Sequence, residues 1–256
     1  MTLKPIDYDQ VQHDVYAAGR ALAPGVLEAW LDAFAAWWPP RRPLRLLDLG
    51  AGIGRFTPGL AERFGGPVYG VEPSARMRAI AESSAVHFAV SYLEGEAASI
   101  PLEDAAVDGA LMFLSLHHVR DIPAAAVEIA RVLRPSARLQ IVSGFSDRAA
   151  GASWWHRFFP RAAEIEGAMC PSVAEVEGRF AAAGLSLVAL DKVRTLQWEN
   201  VTAAAAQLRL RPYSTFEHLT EPEIVAGLAA LERATRDHAS NEPIFGLSDR
   251  LVLEKA

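Results

Sequence analysis

A glycine-rich segment directly after a short apolar run is the feature that most constrains the fold. The run covers Leu44–Leu49, and glycine then occupies every second position at Gly50, Gly52 and Gly54. Such a run is typical of a strand buried on both faces of a parallel sheet. Glycines after it let the backbone turn tightly and approach a ligand closely. Because open α/β sheets bind ligands at the carboxyl ends of their strands, the sequence predicts a ligand-binding loop here.

Strand and helix patterns alternate along the rest of the chain. We predict strands at 44–49, 67–71, 87–90, 107–111, 138–142, 185–193 and 247–253, and helices at 57–64, 75–83, 123–132, 153–168 and 172–183. The apolar pattern of 8–38 predicts two helices separated by Pro24 and Gly25. The pattern of 200–240 predicts a helical pair, and its second helix starts with Thr220 and Glu223 as a capping box. The alternation predicts an α/β fold with a doubly wound, mostly parallel seven-stranded sheet.

The domain organisation follows from this pattern. We expect a single domain over 1–256, because no linker or repeat interrupts it. The N-terminal helices of 1–43 and helical elements within 145–240 are expected to cap the site.

Composition argues against several functional classes. The 256-residue chain has a net charge of -6 and no run of Lys and Arg, which argues against nucleic-acid binding. Cys170 is the single cysteine, so no disulfide forms within the chain. No apolar run reaches the roughly 18 residues of a membrane span, and the N-terminus has no signal-peptide pattern. We expect a cytoplasmic monomer or homodimer without a metal site.

Two acidic residues accompany the glycine-rich loop. Asp48 precedes the first glycine, and Glu72 ends the second predicted strand. A carboxylate at that strand end accepts hydrogen bonds from the hydroxyls of a ribose. Asp48 would repel the pyrophosphate of a dinucleotide, and the spacing G-x-G-x-G differs from the G-x-G-x-x-G of dinucleotide folds. The pattern favours a ribose-containing ligand that is not a dinucleotide.

Five segments in this order resemble the motifs of class I S-adenosylmethionine-dependent methyltransferases, of the small-molecule type similar to methyltransferase domains 11 and 25. They are DLGAGIG at 48–54, VYGVEPS at 68–74, GEAASIP at 95–101, DGALMFLSLHHV at 108–119 and RVLRPSA at 131–137. The resemblance covers about 44–143, more than a third of the chain. Glu96 stands where the family has aspartate, and Ser136-Ala137 replaces a glycine pair.

The resemblance implies a site for S-adenosylmethionine, with S-adenosylhomocysteine as the product. Asp48 would lie beside the sulfonium-bearing methionyl part, Glu72 would bind the ribose, Glu96 would accept from the adenine amino group, and the Ala97 amide would donate to the adenine ring. The further cofactor-binding residues that it implies are Gly50, Ala51, Gly52, Gly54, Pro73, Met77 and Phe113, with Tyr16 and Arg20 from the N-terminal helix. Arg20 would pair with the methionyl carboxylate.

Two adjacent histidines follow the fourth motif. Methyl transfer from a sulfonium is an in-line displacement, so a base is needed only where the nucleophile must lose a proton. His117 is the candidate catalytic residue, as base or orienting group, because imidazole titrates near neutral pH. By resemblance, the second histidine packs inward and supports the loop. A structural role for both histidines is the alternative.

An aromatic-rich segment after the fifth predicted strand supplies further candidates. Segments at this position often cover the substrate in the family, and aromatic rings offer an apolar or stacking surface. The candidate substrate-binding residues are His118, Arg148, Trp154, Trp155 and Tyr213. An ordinary core role for the tryptophans is the alternative.

The sequence therefore predicts a methyltransferase that acts on a small, partly apolar molecule. Three alternatives remain open: a non-methylating, cyclase-like enzyme that binds the same cofactor, a dinucleotide-dependent oxidoreductase, and a binding module without activity. The chain lacks the Tyr-x-x-x-Lys pair of one common oxidoreductase family. It also lacks the Asn/Asp-Pro-Pro-aromatic motif of enzymes that methylate a flipped base.

Overall fold

The computed structural model describes residues 22–23, 25–148, 153–237 and 241–256. Within these ranges one sheet contains β1 Leu46–Leu49, β2 Val68–Val71, β3 Val90–Leu93, β4 Val107–Phe113, β5 Leu133–Ser143, β6 Leu185–Trp198 and β7 Ile244–Lys255. The strand order is β3-β2-β1-β4-β5-β7-β6. Strands β1 to β5 are parallel, and β7 runs antiparallel to both β5 and β6. The predicted mostly parallel seven-stranded sheet is confirmed.

Helices cover both faces of this sheet. They are α1 Val26–Ala35, α2 Thr57–Phe64, α3 Ala75–Ser84, α4 Ile122–Val132, α5 Pro160–Met169, α6 Val173–Ala182, α7 Val201–Leu208 and α8 Glu221–Asp237. In the central strands, Leu46 and Leu111 pack with α1 and α2, whereas Leu47 and Ala110 pack with α4 and α6. Burial on both faces explains why these strands appear in the sequence as short apolar runs.

Several predicted boundaries were wrong. β3 begins at Val90, not at His87, because the Ala89 amide donates to Nδ1 of His87 at 3.1 Å and closes a turn there. The single helix predicted over 153–168 is instead a 3-10 helix at Trp154–Arg157 followed by α5. Pro160 opens α5, which suits a residue that lacks an amide hydrogen and is disfavoured inside a helix.

Strands β6 and β7 extend past the carboxyl edge of the sheet. Ser143, the last residue of β5, pairs with Asp249, and Asp249 pairs with Lys192. Residues 193–198 and 244–248 therefore project beyond β5 as a two-stranded extension, which we call the β6–β7 overhang. It forms a wall next to the strand ends, where open α/β sheets bind ligands.

A third apolar cluster lies outside the two cores of the sheet. It joins α5, α7, α8 and the tip of the overhang around buried aromatic residues, including Trp155, Phe159 and Phe216. The pairing predicted at the start of α8 is present, since the amide and the hydroxyl of Thr220 both donate to Oε2 of Glu223 at 2.7 Å. In the described part of the chain, no helix has both the length and the apolar character needed to cross a membrane.

Candidate active site

The glycine-rich loop turns sharply at the carboxyl end of β1. Gly50 and Gly54 have φ values of 76° and 78°, in the left-handed region that is costly for residues with a Cβ. A Cβ at Gly50 would lie 2.5 Å from the Cβ of Ser115, and one at Gly54 would meet the hydroxyl of Tyr92. The amide of Gly50 donates to the Val71 carbonyl at 2.8 Å, which ties the loop to the end of β2. These positions require glycine because the surrounding chain approaches so closely.

Glu72 connects the loop to the start of α3. Its side chain is buried, and its two oxygens accept hydrogen bonds from the amides of Gly52 and Ser74, each at 2.9 Å. Ser74 in turn caps α3 by accepting from the Met77 amide at 3.2 Å. A carboxylate oxygen accepts two hydrogen bonds, so this orientation is compatible with further donors from a ligand.

Asp48 lies beneath the loop with 3% of its surface exposed. Its Oδ2 accepts a hydrogen bond from the Thr57 hydroxyl at 2.7 Å. Burial raises the pKa of the Asp48 carboxyl from 3.8 to about 6, with a further increase from the negative charge of Glu72, while Thr57 and Arg55 lower it. A carboxylate buried at this cost is typical of functional sites. A positive charge placed above the loop would stabilise its ionised form.

The other predicted cofactor residues lie at the ends of neighbouring strands. Glu96 and Ala97 belong to a tight turn after β3, closed by a hydrogen bond from the Ser99 amide to the Glu96 carbonyl at 3.0 Å. The Glu96 side chain is exposed, as is Pro73, whereas Met77 is buried. Phe113 is the last residue of β4. Tyr16 and Arg20 lie outside the described residues.

A cavity of about 170 Å³ lies beyond the ends of β1 and β4. Its apolar walls come from α1, the end of β4 and the overhang, with Trp30, Phe113, Leu196 and Leu247 among them. Its polar lining residues are Arg55, Ser153, Thr195, Gln197, Gln207, Tyr213 and Ser248. Gln207 is held by a hydrogen bond that its Oε1 accepts from the indole nitrogen of Trp198. The cavity therefore adjoins the glycine-rich loop and combines an apolar body with polar groups.

Comparison with known proteins agrees with this arrangement. Residues 47–141 match the family model described as a methyltransferase domain. An uncharacterised methyltransferase of Mycobacterium tuberculosis is 41% identical over 116 residues, which are 45% of this chain and 46% of that protein. Residues 47–141 therefore form a methyltransferase domain of the class I S-adenosylmethionine-dependent kind. The chain spans about half the length of that relative.

Solved structures share the methyltransferase fold over most of the chain. A protein of Anabaena variabilis that is described as a methyltransferase from an antibiotic biosynthesis pathway superposes with a TM-score of 0.71 at 20% identity, covering 89% of this chain and 96% of the other. The [4+2]-cyclase SpnF superposes with a TM-score of 0.64 at 20% identity, covering 97% and 93%. At such identities the likeness shows the fold.

The structure places the two histidines differently from the expectation. His117 and His118 belong to the 3-10 helix Leu116–His118 after β4, and their ring centroids lie 3.9 Å apart. His118 is exposed and His117 is half-buried, so the expected inward packing of the second histidine was wrong. Neither side chain lines the cavity that the methyltransferase fold forms here.

The two tryptophans among the candidate substrate-binding residues lie away from the cavity lining. Trp155 is 2% exposed and stacks on Phe216, with ring centroids 5.4 Å apart, inside the third apolar cluster. Trp154 packs against Trp198 and Phe158 at the edge of the same cluster. In the described structure Trp155 therefore belongs to the core of this cluster, and Trp154 lies half-buried at its edge.

Arg148 is engaged in an ion pair at the end of the sheet. Its Nε donates to Oδ1 of buried Asp249 at 2.8 Å, and Lys192 binds the same carboxylate. The substrate role expected for Arg148 is not supported by this position. Of the predicted substrate-binding residues, Tyr213 is the one that the structure brings to the described cavity lining.

Most residues of the cavity lining are not among the candidates predicted from the sequence. Arg55 directly follows the third glycine, which was a usable signal for a side chain near the site. Trp30 falls within the second helix predicted over 8–38, but the sequence does not show what that helix covers. Gln197 and Leu247 lie on the overhang, whose position depends on the pairing of β6 with β7 and has no local sequence signal.

Proposed function

We propose that this protein transfers a methyl group from S-adenosylmethionine to a small-molecule acceptor bound in the cavity beyond β4. The observation that carries the proposal is the placement of two carboxylates around one glycine-rich loop. Asp48 is buried beneath the loop, and Glu72 is oriented by the loop amide of Gly52 and by Ser74. Asp48 can therefore pair with a positive charge, and Glu72 can accept hydrogen bonds from hydroxyl groups.

These residues fit the chemistry of the cofactor. S-adenosylmethionine carries an ammonium and a sulfonium group in its methionyl part, and a positive charge there would relieve the cost of ionising buried Asp48. Its ribose hydroxyls are donors that the Glu72 oxygens accept. The proposed cofactor-binding set is Asp48, Gly50, Ala51, Gly52, Gly54, Glu72, Pro73, Met77, Glu96, Ala97 and Phe113, with Tyr16 and Arg20 outside the described residues.

Catalysis in this scheme depends mainly on alignment. When bound, the cofactor supplies a methyl group that is already activated by its sulfonium. The chain then has to hold the nucleophilic atom of the acceptor in line and keep water away. Trp30 and Leu196 provide apolar walls for the body of the acceptor, and Tyr213 and Gln207 provide hydrogen-bonding groups at the same cavity.

His117 has a more limited role in the proposal. His117 lies three positions after Leu114, which lines the cavity. An acceptor bound in the cavity would therefore be near the 3-10 helix that contains His117. We assign His117 as the base or orienting group for an acceptor that must lose a proton.

The experiment that tests the proposal follows the consumption of S-adenosylmethionine. The purified chain is incubated with it and a panel of small ring-containing phenols, acids, amines and thiols, and products are measured by mass spectrometry. We expect S-adenosylhomocysteine and a methylated acceptor in equal amounts, formed with at least one compound. Glu72→Gln should abolish the reaction, whereas Glu62→Gln, which alters an exposed carboxylate on α2, should not.

The alternatives give different results in this assay and in binding measurements with S-adenosylhomocysteine and NAD. A cyclase-like enzyme that binds the cofactor without methylating would bind S-adenosylhomocysteine but would consume no S-adenosylmethionine with any acceptor. A dinucleotide-dependent oxidoreductase would bind NAD at the loop, which the carboxylate of Asp48 disfavours.

A further inference from the structure

An arginine in the last turn of α4 holds the loop between β3 and β4. The Nη1 of Arg131 donates to the Leu102 carbonyl at 2.7 Å and to Oδ1 of Asp104 at 2.9 Å, and its Nη2 donates to the Ile100 carbonyl at 3.0 Å. Nε and Nη2 also donate to the two oxygens of Glu128, each at 2.8 Å. A guanidinium has five N–H groups, so all of them are engaged by the protein.

Glu128 holds the same segment from the other side. Its Oε2 accepts a hydrogen bond from the Ile100 amide at 3.0 Å, so the pair binds both backbone polar groups of Ile100. The Ala105 amide also donates to the Arg131 carbonyl at 2.9 Å. The side chains of Arg131 and Glu128 are 28% and 21% exposed, so these bonds are screened less than those of a surface ion pair. The hydrogen bonds from Arg131 hold the pKa of the Glu128 carboxyl below its ordinary value, which keeps it ionised.

The segment that this pair holds is continuous with the tight turn after β3. In that turn the Ser99 amide donates to the Glu96 carbonyl at 3.0 Å, and Ser99 directly precedes Ile100. On the other side of the turn, Gly95 approaches Pro101 so closely that a Cβ there would lie 2.6 Å from the proline Cδ. A shift of Ile100 would therefore move the turn, because both the chain and the packing connect them.

The strand order places this turn at one end of the proposed cofactor. Asp48 lies on β1, Glu72 follows β2 and Glu96 follows β3, and the three strands are neighbours in that order. The Glu72 amide donates to the Leu93 carbonyl at 3.1 Å, so the ends of β2 and β3 adjoin. A cofactor with its methionyl part beside Asp48 and its ribose on Glu72 therefore has its base at the end of β3. The exposed carboxylate of Glu96 can accept there from an amino group.

We propose that Glu128 and Arg131 are positioning residues for recognition of the adenine, because they fix the turn that carries Glu96. The inference deepens the proposed methyltransferase function and rests on it. All five N–H groups of Arg131 are bonded within the protein, so the pair acts through the backbone of Ile100 and not by contact with the cofactor. A hydrogen bond weakens steeply when its partners are misaligned. Loss of the pair should therefore weaken recognition of the base and spare the other contacts of the cofactor.

Two ligands that differ only in the base test the inference. S-adenosylhomocysteine and S-inosylhomocysteine, whose base carries a carbonyl oxygen in place of the adenine amino group, are titrated calorimetrically into the full chain. We expect the wild type to prefer S-adenosylhomocysteine at least about tenfold, because the inosyl compound lacks the donor for a charged acceptor. Arg131→Gln should reduce this preference to less than about threefold, with the affinity for S-inosylhomocysteine changed less than about twofold. A purely structural role would weaken both ligands together.

A milder variant and a matched control complete the test. Glu128→Gln keeps an oxygen for the Ile100 amide but removes the charge that pairs with Arg131, and it should reduce the preference at least about twofold. The control is Arg138→Gln, because Arg138 is 34% exposed and likewise binds a carboxylate and a backbone carbonyl, those of Glu254 and Trp37. It should leave the preference unchanged.

Each contrary result has a distinct meaning. An unchanged preference in Arg131→Gln or in Glu128→Gln overturns the inference, and so does an equal loss of both ligands. If Arg131→Gln does not fold, Glu128→Gln alone decides. Equal affinity of the wild type for the two ligands, or the same loss of preference in Arg138→Gln, also overturns the inference. Failure of the wild type to bind S-adenosylhomocysteine refutes the proposed function itself.

Discussion

Replacing Asp48 by asparagine should make the protein more stable while removing its ability to bind the cofactor. Burial raises the pKa of this carboxyl from 3.8 to about 6, so the folded state holds the proton more tightly than the unfolded state. Stability of the wild-type protein therefore falls as the pH rises from about 4 to about 6, and the full penalty applies above that range. Asparagine has nearly the same shape and carries no charge.

The expected magnitude follows from the size of the shift. A difference of about two pKa units at about 1.4 kcal/mol each gives a penalty of about 3 kcal/mol. Thr57 still has an oxygen to donate to in the variant, so its hydrogen bond to position 48 survives. We expect Asp48→Asn to exceed the wild type by about 3 kcal/mol at pH 8 and to match it near pH 4. For a chain of this size, the melting temperature at pH 8 should rise by roughly 5 to 10 °C.

Thermal and urea unfolding of the ligand-free proteins between pH 4 and pH 8 measures this difference. Asp32→Asn is the matched control, because its carboxyl is 66% exposed and pairs with Arg63 at the surface. Calorimetric titration of the same proteins measures their affinity for S-adenosylhomocysteine. The affinity of the wild type should rise about tenfold from pH 5 to pH 7 as Asp48 ionises. The Asp48→Asn variant should bind weakly over the whole pH range. A variant less stable than the wild type at pH 8, or a stability difference that does not vary with pH, would refute this reasoning.

Three further substitutions test other parts of the site. Gly50→Ala should lower the free energy of unfolding by about 2 kcal/mol, because φ is 76° there and the new Cβ meets the turn after β4; unchanged urea unfolding would contradict the loop geometry. His117→Ala should lower turnover by about a hundredfold with little change in S-adenosylhomocysteine affinity; full turnover would leave both histidines structural. Arg148→Gln should cost about 1 kcal/mol of stability, since Lys192 still pairs with Asp249, and leave the acceptor KM unchanged. A raised KM at unchanged stability would restore Arg148 to the substrate site.

The sequence predicted those features that local patterns determine. The loop after β1 could be located because three glycines at alternate positions follow an apolar strand, and the structure shows left-handed φ values at each of them. Glu72 could be located because it ends the next strand of a parallel sheet, which brings it to the same edge. The alternation of elements was sufficient to predict the sheet itself, which is confirmed.

The acceptor side depends on contacts between distant segments, and these leave little trace in the sequence. The strand predicted to end at Val193 continues to Trp198 as part of the overhang. Residues 193–198 pair there with 244–248, and this pairing between distant segments leaves no local signal in the sequence. A tryptophan such as Trp155 is common both in binding sites and in apolar cores. The choice between these roles depends on the packing of α7 and α8 around it, which the sequence does not show. Arg148 is a candidate substrate-binding residue from the sequence, and its ion pair joins it to Asp249, 101 positions later in the chain.

We propose above all that the loop between β1 and α2 binds the adenosyl cofactor of a methyltransferase. Calorimetric titration of the full chain with S-adenosylmethionine and S-adenosylhomocysteine, with NAD in parallel, tests it most directly. We predict micromolar affinity for both sulfur compounds, lost in Glu72→Gln, and no binding of NAD. Binding of NAD, or no binding of either sulfur compound, would contradict the assignment of Asp48 and Glu72.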